Sequence, residues 1–361
     1  MKKYIHWIDR KAHTARNSIL ISTHIDFNQN GLGVFRILFG LYSLLFSEHY
    51  WGWLKSIPSA LYRNTRWNFF NIFSDFPADW FIDIMDITML ICMVCITIGY
   101  RTRLTSMVAF FIMLIMDGFA YNLGKIDHEI MMTLIFPILA FTNSRAKIAI
   151  RPETHTTKKT HDRAIALYAI VIVFGLFTSG VPKIPWMDFN TSTNGILRWY
   201  YEGYYVSDRV HLLAPYFKYV PIFLVEITDH FIPLFEMAGL YFLLKSRKTW
   251  YTWLFALCVF HLGNTLVLNI PFIPQVFAYG VFILPKFYNL YLKNARLNLW
   301  VIYPIGIILG CNNLFGILFK NQSTYFPIEN NLYTGLATWI VLTILALSIL
   351  LKKHPKPDTP L

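Results

Sequence analysis

Long apolar runs recur along the chain, each closed by a short polar or basic stretch, and their lengths suit helices that cross a bilayer. A helix rises about 1.5 Å per residue and a hydrocarbon core is about 30 Å thick, so uninterrupted runs near 20 residues read as spans. On that measure about ten spans are predicted, over 31–48, 81–99, 104–121, 127–142, 164–182, 217–243, 250–267, 272–291, 298–318 and 332–351. The fourth is short and polar at its start, and the eighth is interrupted by Pro271, Pro274 and Pro285, so each has the look of a re-entrant piece. The expected fold class is therefore an all-α, polytopic transmembrane helical bundle. Residues 31–351 read as one transmembrane domain between an N-terminal segment, 1–30, and a polar tail, 352–361. Two connections, Glu48 to Trp80 and Asn194 to Leu213, are rich in Trp and Tyr and read as amphipathic segments lying along the interface.

Composition removes the soluble alternatives. Of 361 residues, 55% are hydrophobic and only 14% charged, more apolar surface than one soluble core needs. The net charge of +12 would suit nucleic acid, but the basic residues sit between apolar runs and form no stripe, so no nucleic-acid partner is expected and the lipid bilayer is. Assigning connections alternately to the two sides places most Lys and Arg on one of them, including Arg145, Lys147 and Arg151, Lys245 to Lys248, Lys293 and the tail. By the positive-inside rule both termini then face the cytoplasm and Lys183 the outer side. The first thirty residues lack an apolar core and a small-residue cleavage site, so no cleaved signal peptide is expected. Cys92, Cys95, Cys258 and Cys311 all fall inside apolar runs and read as small core hydrophobes.

Ionisable residues in such runs carry the candidate chemistry, because they are costly there and by default mark a site. Lys183 follows a long, nearly uncharged run and is bracketed by Pro182 and Pro185, with Trp186 beyond. Partial desolvation at that depth makes its amine a candidate base. The plain alternative is a snorkelling lysine beside an interfacial tryptophan. At the same outer level the sequence places a polar turn with Asn122, Asp127, His128 and Glu129. The sixth span starts there and carries Glu226, Asp229 and His230 on one helical face, with Glu236 further along, and the seventh ends there with His261 and Asn264. Each cluster also has a purely structural reading as helix start or interhelical glue. No two histidines stand three or four apart on one helix, so no metal site is expected. Arg36, inside the first span, must find a partner within the bundle.

These residues resemble, in order, the motifs of the HTTM domain, the membrane domain shared by vitamin K-dependent gamma-carboxylases and many shorter bacterial proteins. The resemblance rests on Gly33-Val34-Phe35-Arg36-Ile37-Leu38-Phe39-Gly40, Gly99-Tyr100-Arg101-Thr102-Arg103 and the turn Asn122 to Glu129. It continues through Ser179-Gly180-Val181-Pro182-Lys183 with Trp186, and from Phe260-His261 through Pro271 and Pro274 to Pro285. It implies a reduced quinone of the vitamin K or menaquinol type as cofactor. Lys183 would be the base that deprotonates it, and His128 would share the active-site region. Asn122, Asp127, Glu129, Glu226, Asp229, His230, His261 and Asn264 are the candidate cofactor-binding residues. Pro182 departs from the basic or polar residue usual before the lysine, and Lys125 and Asp127 stand where the carboxylases resemble a paired-asparagine turn.

Two readings of function follow. One is a quinol-dependent membrane enzyme, carboxylase-like or epoxidase-like, modifying a peptide or small target at the outer face of a bacterial inner membrane. The other is a non-catalytic partner or maturation protein for an exported peptide, or a transporter, although no repeat of the kind that builds inverted halves is visible.

Overall fold

Apolar continuity dictates the architecture, and prolines and glycines cut it into pieces. The computed structural model describes residues 2–28, 30–46, 50–63, 68–123, 130–144, 147–152, 156–190, 192, 194–293, 297–318 and 331–352. Among them every regular element is helical. In chain order they are α1 (Lys2–Ser22), α2 (Gly31–Phe46), α3 (Asp79–Ile98), α4 (Thr102–Ala120), α5 (Ile130–Thr133), α6 (Ile135–Phe141) and α7 (Lys158–Gly180). Then come α8 (Gly195–Tyr201), α9 (Ala214–Phe217), α10 (Ile222–Met237), α11 (Gly239–Lys245), α12 (Arg247–Leu268), α13 (Ile273–Phe287), α14 (Leu299–Leu318) and α15 (Asn331–Leu351).

Among the described residues, six helices are long and apolar enough to cross a membrane, namely α3, α4 with its short extension, α7 with its extension to Trp186, α12, α14 and α15. A seventh span exists if α10 and α11, bent by 48° at Ala238, are taken together. The other predicted spans are shorter helices. Span 31–48 is the 16-residue α2, which at 1.5 Å per residue reaches only about 24 Å. Span 127–142 is divided between α5 and α6, and its first residues lie outside those described. Span 272–291 is the 15-residue α13 followed by a π-helical turn, Tyr288–Leu292, with Pro285 near the change. Proline withholds the amide that would continue the α-helical ladder, which accounts for a local change of winding there.

Two compact units emerge, each assembled from separated stretches of chain. The first comprises 1–25, 162–287 and 330–361. In it α15 packs along α12 and α13, and Trp250, Trp253, Trp339, Tyr168, Tyr279 and Phe282 fill the interior, each less than 2% exposed. Trp339 is fixed within it by donating Nε1–H to the carbonyl of Pro271 at 2.5 Å.

The second unit comprises 26–161 and 288–329. Here α3 packs against α2, α4 and α14, and the charge that the first span could not hide is resolved. Arg36 is wholly buried and donates to the carbonyls of Ile96, of Thr97 at 2.9 Å, of Ser144 at 3.3 Å and of Ile148. Ile96 and Thr97 belong to the last turn of α3, whose carbonyls have no helical donor ahead of them, so a guanidinium satisfies both their hydrogen bonding and the helix dipole. Gly99 closes that helix at φ +78°, with its N–H returning to Cys95 and Ile96. A Cβ at Gly99 would lie 2.5 Å from that of Ala149 and 2.9 Å from the Arg36 guanidinium, so position 99 admits only glycine on both counts. Two of the sequence motifs thus meet at one structural knot.

Candidate functional site

One face of α10 carries the acids of the candidate site, and the connection from α7 to α8 supplies their partners. Glu226, Asp229 and Glu236 are all buried and stand at spacings of three and seven, which keeps them on one side of the helix. Glu236, one turn beyond the helix-interior Pro233, receives Lys183. The lysine amine bonds both carboxylate oxygens, at 2.5 and 2.6 Å, and Ser179 Oγ at 3.0 Å. Side-chain exposure is 19% for Lys183 and 4% for Glu236, so the pair is largely withdrawn from water. Gly180 makes this reach possible. A Cβ there would lie 3.0 Å from the Pro233 carbonyl and 3.2 Å from Glu236 Cβ, so a bare backbone lets the end of α7 sit this close to α10 without pushing it away. Beyond it the chain tightens into a 3-10 turn, Val181–Trp186, which carries Lys183.

Asp229 performs a different task. Its Oδ2 and Oδ1 accept the amides of Gly195 at 2.7 Å and Ile196 at 3.0 Å, the first two N–H groups of α8. Asn194 completes the cap by accepting Leu197 N–H at 2.8 Å, and its amide donates to Glu226 Oε2 at 3.2 Å. Helix starts leave such amides unpaired, so a carboxylate and an Asn cap together hold α8 on α10. Beneath them Ile196, Val225 and Ile232 form a small apolar cluster. His230 Nδ1 lies 2.9 Å from the Glu226 carbonyl and 3.7 Å from Glu226 Oε1, and its ring packs against Phe189 at 4.0 Å. Replacing Asp229 by Ala is expected to lower stability by about 1–2 kcal/mol. Thermal unfolding of the purified protein in detergent should show it, and an unchanged midpoint would contradict the capping role.

The remaining candidates are placed elsewhere. His261 is buried in α12, with Nε2 3.0 Å from Tyr279 OH and its ring stacked on Trp339 at 4.9 Å, a position inside the aromatic interior. Asn264 lies one turn on, half-buried, and its carbonyl accepts the returning backbone at Asn269 and Ile270. Asn122 belongs to the second unit, where it is buried and accepts from Asn68 Nδ2 at 2.7 Å. Asp127, His128 and Glu129 lie outside the described residues. No group of three or more His, Cys, Asp or Glu among the described residues is arranged to hold a metal.

Two features escaped the reading of the sequence. The first is Glu236 as the partner of Lys183, 53 residues away. The second is a pair of buried acids in the second unit, Asp86 and Asp117, joined by one tryptophan: Trp51 donates its backbone amide to Asp86 at 2.9 Å and its indole N–H to Asp117 at 3.2 Å. Two acids at the start of the apolar run 81–99, Asp83 and Asp86, were the available signal. No family model, no curated protein and no solved structure matches the chain.

Proposed function

We propose that the chain is a multi-pass enzyme of a bacterial cell membrane that acts on a reduced quinone through the Lys183–Glu236 pair at the outer level. Both termini face the cytoplasm in this reading, with about ten membrane-inserted segments once the short helices are counted. The observation that carries it is an ion pair between Lys183 and Glu236, largely withdrawn from water, in a segment whose Phe177, Val181 and Ile184 are exposed and apolar. An ion pair in such a place is a costly way to hold two helices together and is the usual mark of a site.

The donor set fits the implied group. A quinol hydroxyl both donates and accepts, and the Lys183 ammonium lies within 3.0 Å of both the Glu236 carboxylate and the Ser179 hydroxyl. When bound, reduced quinone supplies an acidic hydroxyl proton and the electrons for reaction with oxygen. Within the pair the free lone pairs lie on the carboxylate, so Glu236 takes the proton. The Lys183 ammonium would offset the negative charge left by that proton. The base is thus the pair rather than a lone lysine amine, and Ser179 orients the ammonium. The acceptor of the reaction is a peptide or small molecule at the outer face.

A membrane assay tests this reading. Vesicles loaded with menaquinol and carrying matched amounts of inserted protein should consume quinol in an oxygen-dependent way with wild type and not with Lys183→Ala. Equal consumption by both would overturn it. A second reading, a non-catalytic partner for an exported peptide, is favoured by the fact that Glu226, Asp229 and Glu236 all bond the α7–α8 connection or the first turn of α8. Under it, substitutions would lower stability and peptide maturation together, with no quinol turnover in any sample.

A further inference from the structure

In the second unit the residues just before α2, the stretch after α6 and the chain around the π-helical turn Tyr288–Leu292 line a half-open cavity of about 330 Å³, at the small end of the range for ligand sites. Its walls include Asp26, Asn30, Lys147, Tyr288, Asn289 and Lys293. We infer that this cavity binds a phosphate ester bearing hydroxyl or amine groups, of the kind presented by a phospholipid headgroup or by its free glycerol phosphate.

Charge and unmet hydrogen bonding specify that chemistry independently. Two ammonium groups against the single carboxylate of Asp26 leave the lining positive, and lysines act as mobile point charges well suited to a phosphate. The wall residue Asn30 also leads directly into α2, a 16-residue helix whose amide end favours an anion. Asn30 precedes that helix but does not cap it, because its side-chain oxygen is buried and accepts nothing. Asn289 Oδ1 is buried and equally without a donor. A buried amide oxygen left unmet is unfavourable, and an ionised phosphodiester group alone cannot relieve it, since its oxygens only accept. A ligand with hydroxyl or amine hydrogens beside its phosphate meets both oxygens while its charge meets both lysines. On the positive-inside reading this end of the unit lies at the cytoplasmic surface, where basic pockets between helices meet anionic headgroups.

The full-length protein in neutral detergent provides the test, with three probes: phosphatidylglycerol, phosphatidylcholine and sn-glycerol 3-phosphate. Native mass spectrometry reads retention and thermal unfolding reads stabilisation. Wild type should bind phosphatidylglycerol in preference to phosphatidylcholine, and Lys147→Ala/Lys293→Ala should weaken that binding about tenfold or more. A control with the same charge change, Lys158→Ala/Lys159→Ala, should leave it unchanged. Binding of glycerol phosphate as well assigns the site to a soluble ligand, and binding of the lipid alone assigns it to the membrane. Equal weakening by both double variants, no preference over phosphatidylcholine, or no binding of any probe would each overturn the inference.

Discussion

Replacing Glu236 by glutamine is expected to lower quinol turnover by about 10²- to 10⁴-fold, the usual contribution of a positioned proton acceptor. Glutamine preserves the volume and still offers Lys183 one oxygen, so the change removes the charge and the proton-accepting capacity with little loss of packing. It also leaves the lysine charge without its partner at a site where Lys183 is only 19% exposed. Breaking a buried pair on one side costs up to about 3–5 kcal/mol, and this pair should fall below that because water reaches the lysine. The unfolding midpoint therefore has to be measured beside the rate. A double variant, Lys183→Met/Glu236→Gln, removes both charges and should recover much of the lost stability without recovering turnover. Recovery of both would mean that the pair serves folding alone.

The second large effect concerns stability only. Arg36→Met should destabilise the second unit by at least about 3 kcal/mol, since each buried carbonyl left without a donor costs about 1–3 kcal/mol. The carbonyls of Thr97, Ser144 and Ile148 lose this donor at once, while that of Ile96 keeps the Gly99 N–H. Arg36→Lys should fall between, because an ammonium keeps the charge but cannot spread five donors in a plane. Thermal unfolding in detergent, with the monodisperse fraction after solubilisation, would show the order wild type, lysine, methionine. Equal midpoints for all three would remove Arg36 from the role assigned to it.

Much of this architecture can be read from apolar run lengths, because a helix in lipid must satisfy its own backbone and a long apolar run has few other ways to do so. Breaks are harder to read. Pro233 lies inside α10 without ending it, whereas the bend comes five residues later at Ala238, where a Cβ at the neighbouring Gly239 would lie 2.5 Å from the Trp253 ring. The sequence shows the proline and hides the tryptophan. Site residues divide in the same way. Lys183 and the acids of α10 stand out because ionisable groups in apolar runs are rare, but their partners are not marked. Asp229 accepts backbone amides of α8, Arg36 donates to backbone carbonyls, and neither kind of partner has a signature in residue type. Glu236 was visible as one acid among several, and only the approach of Gly180 to α10 selects it as the one that Lys183 meets.

The most direct measurement is the turnover number for menaquinol in vesicles for four proteins: wild type, Lys183→Met, Glu236→Gln and the double variant, at matched insertion. Groups that act as one unit lose their function once, so the double variant should be no slower than either single variant. Losses that multiply in the double variant, or four equal rates, would contradict a proton-handling pair at Lys183 and Glu236.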